Sequence, residues 1–348
     1  MKKAFTLIEL IVVIGILAIL MSVLVVNMTG AGEPARAVKC MANLKSLAQA
    51  VHQYASSTGY EAYYPLAGSR EFMSESAGNG NVSLTFYELP GWINWMSKKG
   101  QVDDAKDRSA MSGRYRKIGS RNSGGGAIVG FAQSSWQVSA YEKRNANPKD
   151  SKRLWCIKRG GLWDYIDHNF DCYLCPGHVR KMSGEKTAPV WSYAMNAKFG
   201  WTTNVKNFML RGVGRPGNVE YGDNNGVGTG ADRTLLFAEL QWEDWIPGVT
   251  PDFSAGSGYD NDGILQYRGC SNTHDNEIIG FNHKSGRDLV GHVVFVDGHA
   301  DKIVLPTKPG KKNVPALSKS ELQELTMWLC EGESVRYNGG SQKYEKLR

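Results

Sequence analysis

Several chemistries are missing from this 348-residue chain. No GxxxxGK[ST] loop follows a strand, no HExxH pair marks a zinc protease helix, and no nucleophile elbow or cysteine-nucleophile signature occurs. These absences remove P-loop phosphate binding and the common hydrolase designs, and the chain is expected not to be an enzyme. Clustered basic charge is missing too. The formal net charge is +7, but lysines and arginines are scattered along the chain, so nucleic acid is not indicated as a partner. Charge of either sign is absent from residues 10–28.

That uncharged stretch, at about 1.5 Å per residue, spans roughly 28 Å of helix, close to the hydrocarbon thickness of a bilayer. Secretory signals have a shorter apolar core followed by a small-residue cleavage site. Here the run is longer and no such site follows, so it reads as an anchor that is retained. Lys2 and Lys3 keep the extreme N-terminus cytoplasmic by the positive-inside rule, which places the remainder outside the membrane. Glu9 stands alone at the start of the run. A carboxylate there costs a few kcal/mol on insertion scales and calls for a partner or a task.

Lys2-Lys3-Ala4 followed by Phe5-Thr6-Leu7-Ile8-Glu9-Leu10 resembles the leader of type IV prepilins and type II secretion pseudopilins. In that family a dedicated prepilin peptidase cuts before the Phe, methylates the new amine and leaves the Glu at the fifth mature position. The resemblance implies cleavage between Ala4 and Phe5, with Ala4 where the family usually has Gly, and an assembly role for Glu9. In a filament of parallel helices, Glu9 of one subunit would neutralise the amine of Phe5 on its neighbour.

Further segments are similar to the prepilin-type proteins of planctomycetes and verrucomicrobia. They are Cys40-Met41-Ala42-Asn43-Leu44-Lys45, Tyr64-Pro65, Cys175-Pro176, Trp191-Ser192-Tyr193-Ala194-Met195-Asn196, Leu236-Phe237-Ala238-Glu239 and Phe295-Val296-Asp297-Gly298-His299. That group carries a His a fixed distance before an Asp-Gly pair. Asp297-Gly298 matches the pair, and His283 is the upstream histidine, standing farther away than the family spacing.

The resemblance and the patterning together imply an α+β, pilin-like fold. A leader (1–4) precedes a transmembrane helix (5–29), an amphipathic helix (30–58) and an extracytoplasmic head (59–348). Val38, Met41, Leu44, Leu47, Ala48, Val51, Tyr54 and Ala55 recur at helical spacing as one buried stripe, with Arg36, Lys39, Asn43 and Gln49 off it. Pro34, after Gly30 and Gly32, is expected to kink or interrupt the helix. The head, with 40 Gly, 10 Trp and 15 Tyr in the chain, reads as a loop-rich antiparallel β domain. Residues 98–150 read as a polar loop insertion.

Strands are expected at Thr234-Leu235-Leu236-Phe237-Ala238-Glu239, at Ile278-Ile279-Gly280-Phe281, and on both sides of Asp297-Gly298. Two positive-φ turn positions would join the last pair. A capping box of Ser318 and Glu321 opens a helix over 319–329, and the last dozen residues are expected to fray.

Six cysteines in an outward-facing head favour disulfides, but CxxC spacing with nearby histidines also suits zinc. For the group Cys156, His168, Cys172, Cys175 and His178, three states stay open. They are a disulfide from Cys156 to one of the CxxC pair, zinc held by Cys156, Cys172, Cys175 and His178, or reduced thiols. Cys270 and Cys330 are a second candidate pair, whereas Cys40 reads as simple core. Asp260 and Asp262, in Asp260-Asn261-Asp262-Gly263, offer oxygens for calcium, as does Asp223-Asn224-Asn225, but neither set completes an EF-hand.

The expected function is a structural pilin or pseudopilin of a type IV pilus or type II secretion-like filament. Its expected partners are sibling subunits in a homo- or hetero-oligomeric filament, the prepilin peptidase and inner-membrane assembly machinery. Its expected location is the inner membrane, then a periplasmic or extracellular filament. The alternative is a membrane-tethered minor or tip pilin whose aromatic loops, including Trp92, Trp95, Trp242 and Trp245, bind a surface or carbohydrate.

Overall fold

The computed structural model describes residues 7–57, 65, 67, 70–78, 81–89, 91–93, 111–112, 115–122, 141–145, 156–197, 199, 231–240, 263–265, 267, 277–310, 314–341 and 343–347. Its first element is α1 (Leu7–Ser57), a single 51-residue helix. Pro34 lies inside it and does not interrupt it, contrary to the break expected there. A proline in a helix interior costs about 3 kcal/mol. The long flanking helix and the Glu33–Arg36 ion pair at 2.6 Å carry the chain through.

The second half of α1 packs on the head, and the buried face is rotated from the expected one. Cys40, Asn43, Leu44, Leu47, Ala48, Ala50, Val51, Tyr54 and Ala55 are buried. Val38, assigned to the stripe, is 67% exposed. Asn43 takes the inward place because its amide has acceptors waiting: Nδ2 donates to the Asp171 carbonyl at 2.9 Å and the Leu174 carbonyl at 2.8 Å. A buried amide with both protons satisfied carries little desolvation penalty.

A four-stranded antiparallel sheet of β1 (Arg70–Gly78), β2 (Asn81–Leu89), β3 (Met111–Ser112) and β4 (Tyr115–Asn122) has the order β1-β2-β4-β3. Its last two strands fall within the expected loop insertion, which is therefore sheet over part of its length. β5 (Tyr141–Lys143) pairs with β6 (Thr187–Pro189), and between them lie two 3₁₀ turns (Trp163–Tyr165 and Phe170–Tyr173) and the short helix α2 (Pro176–Lys181).

The central sheet contains β7 (Tyr193–Asn196), β8 (Leu235–Glu239), β9 (Ile264–Leu265), β10 (His283–Ser285), β11 (Asp288–Phe295) and β12 (Ala300–Leu305). β12 runs along one edge of β11 from Leu289 to Val294. The other edge is shared: β10 pairs with it at residues 288–290 and β8 at 293–295. Gly291 and His292 fall between those partners. Gly291 is needed there, because a Cβ would stand 2.2 Å from the Gly280 carbonyl oxygen. The expected strand at Ile278–Phe281 is only a bridge, Leu240 to Ile279, within the segment that crosses this gap.

The Asp297-Gly298 hairpin is present but with another turn. Gly298 alone of the pair has positive φ, +88°, its amide donates to the Phe295 carbonyl, and the Phe295 amide donates to the His299 carbonyl. That is a three-residue loop with a glycine bulge instead of a two-residue turn. α3 (Lys319–Glu331) begins with the expected capping box and ends at Gly332 with φ +76°. The C-terminal residues are not frayed: β13 (Val335–Asn338) and β14 (Lys343–Lys346) form a hairpin, and the Tyr344 hydroxyl donates to the Val304 carbonyl at 2.6 Å. Of the tryptophans, Trp92, Trp163 and Trp191 are buried in the core. Trp95, Trp242 and Trp245 lie outside the described residues.

Packing at α1 gives a direct check. Leu47→Ala is expected to lower the unfolding free energy of the full-length chain in detergent by about 2–5 kcal/mol. Val38→Ala is expected to change it by less than about 0.5 kcal/mol. Chemical denaturation of the two variants decides whether the buried face is the rotated one.

Candidate functional site

At the gap in the edge of β11 the four elements α1, α2, β8 and β10 each contribute one polar side chain. Cys40 from α1, Cys175 at the N-terminus of α2, Glu239 at the end of β8 and His283 at the start of β10 present donor atoms that all lie within 4.8 Å of one another. All four are buried. Cys40 Sγ donates to Glu239 Oε1 at 3.0 Å, Cys175 Sγ lies 3.1 Å from His283 Nε2 and 3.8 Å from Glu239 Oε2, and His283 Nε2 lies 3.5 Å from Glu239 Oε1.

Each group is held from behind. Glu239 Oε1 accepts from the His292 amide at 3.1 Å and pairs with His292 Nδ1 at 2.6 Å, while Oε2 accepts from the Asn282 amide at 3.2 Å. The carboxylate thus takes the place of the strand that is missing beside His292. His283 Nδ1 faces Glu33 Oε1 at 3.4 Å without a well-formed hydrogen bond, and Arg36 grips the same Glu33 carboxylate. The Tyr193 hydroxyl reaches Cys40 Sγ at 3.3 Å. Gly177 in Cys175-Pro176-Gly177 lets α2 approach: a Cβ there would stand 2.6 Å from the Asn282 carbonyl oxygen and 2.8 Å from His283 Cε1.

The electrostatics follow from burial working against close partners. Burial, with Cys175 and Glu239 adjacent, pushes the Cys40 thiol well above its ordinary value. For Cys175 burial acts in the same direction, but the hydrogen bond with Cys40 and the His283 contact outweigh it and lower the value. Glu239 is held down to about 2: burial would raise it, and His292 and His283 more than compensate. His283 is raised to about 9, its burial outweighed by Cys175, Glu239 and Glu33. A thiolate beside an imidazole is also how cysteine nucleophiles are activated. Here both side chains are buried.

The other sequence-selected residues stand elsewhere. His178 is buried but apart from the cluster, with Nδ1 3.0 Å from Ser192 Oγ and Nε2 3.3 Å from the Tyr141 hydroxyl, and burial pushes it down to about 3. Cys156 and Cys172 are buried and outside the four-residue group, and His168 is exposed against Asp164 at 2.9 Å. Of the three states left open for the Cys156 group, the disulfide to the CxxC pair is not formed, and Cys270 lies outside the described residues. Asp260, Asp262 and Asp223 also lie outside them. His283 and Asp297 sit toward opposite ends of β11, His283 opposite Val290 and Asp297 in the turn beyond Phe295, and Asp297 Oδ1 accepts from the His299 amide at 3.0 Å.

The remaining functional feature is the start of α1. From residue 7 to residue 18 every side chain is exposed, and all but Glu9 and Gly15 are apolar. Ala4 and Phe5 lie just before the described residues. Among the described residues no helix is long and apolar enough to cross a membrane. Residues 1–25 match the family model of the prokaryotic N-terminal methylation motif.

The chain carries the type IV pilin and pseudopilin signature.

This N-terminal methylation motif implies prepilin peptidase processing and pilus-type assembly in general. The match ends at residue 25, so the head and its cluster lie beyond it. No curated protein and no solved structure matches the chain.

Gly177→Ala tests the close approach that builds the cluster. Overpacking there is expected to cost about 1–3 kcal/mol. Gly184→Ala, where a Cβ would meet nothing within 4 Å, is expected to be near neutral. Thermal unfolding of both variants checks this; equal melting temperatures would count against the approach of α2 to His283.

Proposed function

We propose that the chain is a structural, non-catalytic subunit of a type IV pilus or type II secretion-like filament. It is made as a membrane-anchored precursor, cut between Ala4 and Phe5, and assembled by parallel packing of its N-terminal helices. The observation that carries this reading is the methylation motif at residues 1–25, which contains the exposed apolar helix of residues 7–18. A helix apolar all round needs lipid or other helices around it, and a filament supplies first one and then the other. The uncharged sequence over residues 10–28 is long enough to span a bilayer. The head, carried on the second half of the same helix, would coat the outside of the helical core.

Glu9 is exposed on the first turn of α1. In the assembled filament its carboxylate neutralises the methylated amine of Phe5 next door. An unpaired charge in the hydrocarbon costs about 2.5–3.5 kcal/mol. Glu9→Gln is therefore expected to insert into the membrane normally and to reduce filament assembly by roughly a hundredfold. Sheared-filament yield, compared with the amount of membrane-inserted protein, reads both effects. Normal filaments from the variant would overturn the pairing.

A further inference from the structure

We propose that Cys40, Cys175, Glu239 and His283 form a four-coordinate zinc site that fastens the N-terminal helix to the head. Thiolate sulfur, imidazole nitrogen and carboxylate oxygen are all zinc donors, and four of them fill the closed tetrahedron that structural zinc sites use. Calcium would demand six or more oxygens, and magnesium an octahedron, neither of which two sulfurs can supply.

The geometry agrees. Zinc bonds of about 2.3 Å to sulfur and 2.0–2.1 Å to nitrogen or oxygen give tetrahedron edges of roughly 3.3–3.8 Å. The separations here are 3.0 Å from Cys40 Sγ to Glu239 Oε1, 3.1 Å from Cys175 Sγ to His283 Nε2, 3.5 Å from Glu239 Oε1 to His283 Nε2 and 3.8 Å from Cys175 Sγ to Glu239 Oε2. The groups come from four different elements, and one donor atom from each lies within 4.8 Å of all the others.

The outer contacts are those a metal site needs. A ligating histidine commonly turns its second nitrogen to a carboxylate, which fixes the tautomer. His283 presents Nε2 to the cluster and Nδ1 to Glu33, itself held by Arg36. The Glu239 oxygens are oriented by the Asn282 and His292 amides and by the His292 ring. Binding releases two protons to solvent, that of the Cys40 thiol and the one held between Cys175 Sγ and His283 Nε2, and leaves His283 Nδ1 protonated toward Glu33. Lys181 Nζ donates to the Phe281 carbonyl at 2.9 Å, beside Asn282 and His283 in sequence. A Cys40–Cys175 disulfide would use two of the four groups and leave the imidazole and carboxylate converging on nothing. Zinc uses all four.

The test uses the full chain purified from its native membrane in detergent, without chelator. Elemental mass spectrometry is expected to find about one zinc per chain. Cobalt put in zinc's place is expected to give the visible and near-ultraviolet bands of tetrahedral cobalt–thiolate. Cys40→Ser and Cys175→Ser are expected to lose the metal, and Cys172→Ser and His178→Gln to retain it. The cobalt spectrum of the unmutated chain keeps the proposal testable if a ligand variant fails to fold. Folded, reduced chain that takes up no zinc on dialysis against the ion would overturn it. So would a Cys40–Cys175 disulfide in peptide mapping, or metal lost only from the Cys172 and His178 variants.

Discussion

The carboxylate of Glu239 is the point on which this structure turns. It ends β8, accepts the Cys40 thiol of α1, lies against Cys175 of α2 and His283 of β10, and replaces a missing strand by accepting the His292 amide of β11. A buried charge is tolerated only with such partners. Once the carboxylate is in place, the geometry around it is dictated. Gly291 must be glycine for residues 278–282 to cross the gap, Gly177 must be glycine for α2 to come close, and α1 must turn Cys40 inward.

The rotation of α1 joins the two halves of the molecule. Its C-terminal half is committed to the head through Cys40, Asn43, Leu44, Leu47 and Val51, whereas residues 7–18 touch little of it and are exposed. One continuous helix passes from one regime to the other, through Pro34, without a hinge. The exposed apolar end and Cys40, which meets Glu239, thus lie on one helix.

Much of this was legible in the residues. The methylation motif, the helical periodicity of residues 40–55, the strand ending at Glu239, the Asp297-Gly298 hairpin and the Ser318–Glu321 capping box all rest on local chemistry, and local chemistry reads well from sequence. What failed depended on distant partners. Asn43 is buried where carbonyls 128 and 131 positions away accept from it, and Val38 lies on the exposed side of the same helix. The φ values of the Asp297-Gly298 turn and the C-terminal hairpin needed the neighbouring strands. Cys40 looked like simple core, and CxxC spacing drew attention to Cys156, Cys172 and His178 instead of residues on other elements. The available signal was scattered: a lone Glu239 closing an apolar run, a Cys on an apolar stripe, and Cys175-Pro176-Gly177. The short segments resembling the pilin-like proteins contain Cys40, Cys175, Tyr193 and Glu239, and these are the residues that meet.

The measurement that bears most directly on the function is the intact mass and N-terminal sequence of the chain isolated from its native membrane. A filament subunit made through the prepilin pathway begins at N-methylated Phe5, with Ala4 and everything before it removed. A chain that still begins at Met1, unmethylated, would contradict that pathway and leave a tethered protein that does not enter a filament by this route.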